Sequence, residues 1–366
     1  MSPSTHRQGR WGVLVLGLLA VMLFGAGCVS QTLARRIVSA PNRQGSLEQV
    51  VDPKIMAVAD RAYAMNWRMK VGPPAAELMV GMIDPAAYNF VSSLTVKTAA
   101  DGSKTREIKT SWDTPFGKDG RPLPTTTPPK GTLVLLHGIM MSRESMHLWA
   151  IYFAQQGYRM VLVDLRGHGR STGRWIGFGA WEVADLIKVA DELERRELLV
   201  GKLGVFGISY GGALAIQWAA QDPRIATVVG LASYSDPCVA IPEFLRAAAP
   251  KLTAKLSDKT FAQAEAKAAD MAGFRWQDVN VVDAMRRVKV PVLLFHGGYD
   301  AWVPPRHSEL LAQVAPAGSR REETPDDHLS LAMRFDLIGP AALAWFAEKL
   351  TSGAPPAASV SRSSAD

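Results

Sequence analysis

The stretch LGVFGISYGGAL, residues 203–214, sets Ser209 among Gly207, Gly211 and Gly212, where an apolar run gives way to a helical pattern. In a strand-to-helix turn, glycines are needed where Cβ atoms would collide with the neighbouring strand and helix. The bend delivers the serine hydroxyl to a helix N-terminus, whose free N–H groups favour developing negative charge. Serine at its ordinary pKa is a weak nucleophile, so it needs a base within hydrogen-bond reach and a third group to orient that base. Later stretches supply both. PVLLFHGGYDAWVPP puts Asp300 just past an apolar run, on the same edge as Ser209 if the strands are parallel, and DDHLS puts His328 in a loop before a helical pattern. A plain Gly-rich turn is the alternative for Ser209, but it would not predict an acid and a base downstream.

Positioning these residues falls to a set of short, continuous apolar runs at 132–138, 158–165, 202–209, 225–233 and 291–298, each bounded by Gly, Pro, Asp or Ser. They read as strands buried on both faces. Helical patterns at 142–157, 181–198 and 210–221 alternate with them, which implies right-handed crossovers and a mostly parallel central sheet with helices on both faces. The rhythm breaks over about 236–288, which is helical and reads as a small inserted lid. Upstream, 88–97 and 105–112 flank Asp101-Gly102 as an antiparallel N-terminal hairpin that begins the sheet. A Pro-rich connector follows at 121–131. Residues 51–87 read as a mostly helical segment broken by Pro73-Pro74.

The chain order Ser209, Asp300, His328 on this scaffold resembles the α/β-hydrolase fold. The His-Gly turn in LVLLHGIM (133–140) and DLRGHGRSTG (164–173) resemble turns of the same family in esterases, monoacylglycerol lipases and prolyl-aminopeptidase-like members. The resemblance covers residues 88–350. It implies Ser209 as nucleophile, His328 as general base and Asp300 as the orienting acid, with Asp236 in SYSDP as the alternative acid. It also implies an oxyanion hole from the backbone N–H groups of Tyr210 and Ile139. The activity implied is that of a serine hydrolase of carboxylesterase or lipase type, cleaving a small-molecule ester with an apolar acyl group through an acyl-enzyme, without cofactor or metal. Peptidase and thioesterase chemistry on the same triad, and a noncatalytic envelope lipoprotein using the fold as a binding scaffold, are the alternatives. His137 and the group Asp164, Arg166, His168 read as braces of the surrounding loops, His296 and His307 as structural, and Asp326 and Asp327 as solvated loop charges.

At the N-terminus, Arg7 and Arg10 precede an apolar stretch over 11–27 that is short for a spanning helix and suits a signal h-region. Gly27-Cys28 resembles the lipobox of bacterial lipoproteins, which implies export to the cell envelope and membrane attachment through a lipid on Cys28; a signal anchor or a plainly secreted protein are the other readings. The expected layout is therefore a signal peptide at 1–27, a polar, basic tether at 28–50 and a disordered tail at 351–366. Cys238 is the only other cysteine, so no disulfide framework is expected, and it reads as a small buried hydrophobe. The net charge of +7 is spread along the chain without a basic tract, which argues against nucleic-acid binding. No HExxH or CxxC spacing offers a metal site.

Overall fold

A computed structural model describes residues 26–43, 60–98, 104–125 and 128–351. Helix α1 (Ala26–Val38) is followed by strands β1 (Met65–Val71), β2 (Ala76–Ile83), β3 (Asn89–Thr98), β4 (Lys104–Asp113) and β5 (Thr132–Leu136). Then come α2 (His147–Ala154), β6 (Arg159–Val163), α3 (Glu182–Arg195), β7 (Leu203–Ile208), α4 (Tyr210–Ala219) and β8 (Ile225–Leu231). Helices α5 (Pro237–Ala248), α6 (Asp258–Ala272) and α7 (Val281–Met285) lie between β8 and β9 (Val292–Gly297). The chain ends with α8 (Arg306–Val314), β10 (Arg320–Thr324), α9 (His328–Leu331) and α10 (Ile338–Thr351).

The central sheet has eight strands in the order β1-β2-β6-β5-β7-β8-β9-β10. From β6 to β10 every pairing is parallel, while β1 and β2 add an antiparallel edge. Every residue of β5, β7 and β9 is buried, because helices cover both faces of the sheet. Alternate strand residues feed two cores. Val134, Leu136, Val163 and Val205 join the side chains of α3 and α4, whereas Leu133, Leu135, Leu162 and Phe206 join those of α2 and α10. The outer strand β10 (RREET) carries charge along its exposed edge, which discourages pairing with another chain.

Three expectations need correction. Residues 65–83 are not helical: MNWRMKV alternates with period two, turning Trp67 and Val71 inward, and it pairs with β2 around Gly72 and the two prolines. Met, Ala and Lys favour a helix locally, but a sheet edge with an apolar face to cover outweighs that preference. The β3–β4 hairpin forms, with Val91 opposite Ser111, yet among the described residues it pairs only with itself as a two-stranded sheet. The main sheet takes its antiparallel start from β1 and β2 instead. The Asp101-Gly102 turn lies outside the described residues.

The third correction concerns the expected tether. Residues 26–38 form α1, which packs along α6 with Leu33, Ala34, Ile37 and Val38 buried. Their spacing gives one apolar stripe, and the small residues Ala264 and Ala268 on α6 let the helices approach closely. Lys267 Nζ donates to Ser30 Oγ at 2.7 Å. Beyond α1, Ala40 N–H donates to the Arg174 carbonyl, and Asn42 Nδ2 donates to the carbonyls of Gly169 and Ser171. The segment is part of the folded body as far as Asn42. Cys28 lies in the first turn of α1; residues 1–25 of the expected signal peptide at 1–27, and the expected tail from 352, lie outside the described residues. Among the described residues no helix is long and apolar enough to cross a membrane. Because α1 is a core element, Leu33→Ala should lower the unfolding free energy by about 2–3 kcal/mol, read from the urea midpoint. A tether would leave the midpoint unchanged.

Candidate active site

Ser209 occupies the bend between β7 and α4 with φ 53° and ψ −111°, a backbone conformation that L residues adopt at a cost of about 1–3 kcal/mol. Its N–H donates to the Leu231 carbonyl at 2.7 Å and its carbonyl accepts from Ala213 N–H, so the strained residue is pinned on both sides. The bend is possible because backbone passes very close to it. A Cβ on Gly207 would stand 2.3 Å from the Gly211 carbonyl oxygen, and one on Gly211 would stand 2.2 Å from that of Leu136.

At the same end of the sheet, the turn after β9 carries Asp300. One carboxylate oxygen accepts from the N–H groups of Trp302 and Val303 at 2.9 and 2.8 Å. The other accepts from His328 Nδ1 at 2.6 Å. Asp300 is buried, while His328 keeps part of its ring exposed. This places the Nδ1 proton toward the acid and leaves Nε2 as the unprotonated nitrogen of a neutral ring. The ring is further fixed by its place at the start of α9, where Asp327 caps the helix through the N–H groups of Leu329 and Ser330.

The alternative acid is otherwise engaged: Asp236 caps α5 by accepting from Cys238 N–H at 2.8 Å and holds Asn280 Nδ2 at 2.7 Å. Asp326 differs from the expected solvated charge, being buried and paired with Arg334 at 2.6 Å. Cys238 is half-buried rather than fully buried, and burial pushes its thiol up to about 12, which keeps it protonated and unreactive.

The turn after β5 abuts Ser209, since a Cβ on Gly138 would meet the Ser209 Cβ at 3.8 Å. The Gly138 carbonyl accepts from Met141 N–H and from His137 Nδ1–H at 2.8 Å. His137 Nε2 accepts from Leu165 N–H, which fixes that tautomer. In a trans peptide the N–H points opposite the carbonyl, so the Ile139 N–H faces away from these donors. Neither it nor the N–H of Tyr210 donates to an acceptor among the described residues. The Ser209 hydroxyl likewise has no hydrogen-bond partner among them. No hydrogen bond joins Ser209 to His328, whose Nδ1 is engaged by Asp300.

The braces are unusually well buried. His137 and His168 stand with ring centroids 5.0 Å apart, and His168 lies 5.7 Å from the Tyr210 ring. Burial pushes His137 down to about 4 and His168 down to about 3, so both are neutral at neutral pH. Asp164 accepts from the N–H groups of Arg143 and Arg170; burial, aided by Glu144 and opposed by Arg143, raises it to about 7. Arg166 makes a bidentate bond to Asp185 at 2.8 Å on both arms. His296 Nε2 bonds the Val303 carbonyl and holds the loop that supports Asp300.

The sequence reading did not single out Trp302, whose ring centroid is 5.3 Å from that of His328, or Phe244, 5.5 Å from Trp302. It also missed Glu243, to which His307 Nε2 donates at 2.8 Å. Trp302 was within reach, two positions after Asp300; Phe244 and Glu243 carry no local signal, because their partners lie far along the chain. Among the described residues no cluster of His, Cys, Asp and Glu could hold a metal ion.

A sequence model described as the α/β-hydrolase fold matches residues 131–279. The Bacillus subtilis protein YqkD is 27% identical over 195 residues, a match spanning 51% of this chain and 60% of the relative. Among solved structures, an esterase of Pyrococcus furiosus superposes with a TM-score of 0.51 at 18% identity, over 83% of this chain and 94% of that one. The 2,6-dihydroxy-pseudo-oxynicotine hydrolase superposes with a TM-score of 0.57 at 17% identity, over 93% of this chain and 82% of the other. Likeness at that identity establishes shared architecture. One consequence of the bend can be measured directly: Gly211→Ala forces a methyl against backbone that no rotamer change can clear, so it should cost about 3 kcal/mol. A melting temperature equal to that of the unmodified protein would contradict the packing described.

Proposed function

On the α/β-hydrolase fold that this chain adopts, we propose a serine hydrolase that cleaves carboxylic esters. The observation that carries the proposal is the 2.6 Å bond from His328 to Asp300, an acid whose other oxygen is fully engaged by backbone N–H groups. Ser209 attacks the ester carbonyl as His328 Nε2 takes its proton. Negative charge gathers on the carbonyl oxygen, and the N–H groups of Ile139 and Tyr210 receive it, each such donor being worth about a hundredfold or more in rate. The imidazolium, stabilised by Asp300, returns the proton to the leaving alkoxide. Water then attacks the acyl-serine by the same route and restores the enzyme.

A fluorophosphonate probe should label the protein, and Ser209→Ala should abolish the label. Asp300→Asn should lower kcat on p-nitrophenyl esters by about 10³–10⁴, whereas Asp236→Asn should leave it within about threefold, since its partners are a helix cap and an asparagine. An unlabelled folded protein would leave only a binding scaffold. A preference for aminoacyl anilides over esters would turn the assignment toward a peptidase.

We further propose that the chain is exported and lipidated at Cys28. With α1 packed on the body from its second turn onward, an anchor at that position would hold the domain close to the membrane surface. Mass spectrometry of the mature N-terminus should find a diacylglyceryl Cys28; an unmodified terminus would remove the anchor from the proposal.

A further inference from the structure

Asp300 holds the Nδ1 edge of His328, so Nε2 is the atom that must protonate the departing oxygen. Whatever that oxygen carries therefore runs past the imidazole. One aromatic ring packs against the imidazole, and a second packs against the first. The indole of Trp302 lies 5.3 Å from the imidazole, tilted by 37°, and the Phe244 ring meets the indole edge-on at 5.5 Å and 86°. All three rings are half-buried and so open to a ligand. The oxyanion turn follows β5, which flanks β7 on one side, whereas His328 and Trp302 follow the strands on the other side. On the proposed mechanism the acyl oxygen and the leaving group thus lie toward opposite edges of the sheet, at the same end of its strands.

Both rings are held in place. Trp302 is fixed through its own N–H on Asp300. Phe244 follows Glu243, which is paired with Arg306 and accepts from His307 Nε2–H. His307 Nδ1 in turn accepts from the hydroxyl and N–H of Ser235, so the proton on Nε2 is specified. This clasp fastens α5 to the start of α8 beside Phe244. Tyr299 and Leu329, chain neighbours of Asp300 and His328, are exposed and extend an apolar rim.

We infer that Trp302 and Phe244 form the recognition surface for the leaving alcohol, and that the preferred substrates are esters of aromatic or bulky apolar alcohols. The inference rests on the Ser209, His328, Asp300 reading above. It is tested with acetates of methanol, butan-1-ol, benzyl alcohol and 2-naphthylmethanol, all primary alcohols, and with benzyl esters of lengthening acyl chain. In the unmodified enzyme kcat/KM should rise at least tenfold from the methyl to the naphthylmethyl ester. Phe244→Ala and Trp302→Leu should each cut that ratio about three- to tenfold, as expected for loss of one aromatic contact, while the acyl series keeps its slope. A ratio unchanged in both variants, or a change confined to the acyl series, overturns the inference. Trp302→Phe serves if Trp302→Leu does not fold, and should lose less of the ratio.

If no ester is turned over, the catalytic reading fails, and the surface is measured by calorimetric binding of 2-naphthylmethanol. Binding weakened severalfold by Phe244→Ala sustains it; no binding, or equal binding to both proteins, removes it.

Discussion

The close passage of backbone at the β7–α4 bend is the constraint on which the rest of the site depends. Ser209 is held at a positive φ, and a strained conformation persists only where its surroundings over-determine it. Here they do so from three directions: the end of β5 presses on Gly211, the helix turn on Gly207, and Ser233 on Gly212. Each neighbour is itself anchored in a core on one face of the sheet or the other. The two cores supply rigidity, and the bend converts it into one hydroxyl that, among the described residues, has no hydrogen-bond partner and stands beside unpaired N–H groups.

Around that bend, support is passed along in shells. His137 fixes the Gly138 carbonyl, and Leu165 fixes the tautomer of His137. Asp164 gathers the N–H groups of Arg143 and Arg170. Residues 40–42, downstream of α1, bond to the 167–174 loop. The turn after β5 is thus steadied by groups set behind the bend. Buried neutral histidines suit this work, because each offers one donor and one acceptor in fixed directions without the cost of burying a charge.

What was legible in the sequence follows the range of the forces involved. Continuous apolar runs bounded by turn residues specify strands buried on both faces, so β5 to β9 could be placed and, with them, the turns bearing Ser209, Asp300 and His328. The β1–β2 edge was misread because Met, Ala and Lys suit a helix locally, and only the unpaired face of β6 calls for strands there. The stripe of α1, at Leu33, Ala34, Ile37 and Val38, does follow helical spacing, but it is short, interrupted by Arg35 and Arg36, and adjoins the leader-like stretch. Its partner α6 lies more than two hundred residues away. The sequence favours Asp300 but leaves Asp236 open, because both follow strands at the same end of the sheet; in the fold Asp300 bonds His328, while Asp236 bonds Cys238 N–H and Asn280. Phe244 meets Trp302 only through the tertiary fold.

The pairing of α1 with α6 also bears on the order in which the molecule is assembled. Ser30 and Lys267 are 237 residues apart, among the most distant contacts along the chain. Helix α1 is made long before α6 and must wait, amphipathic, until that partner has emerged. Completion of the core around α6 then depends on a helix made more than two hundred residues earlier.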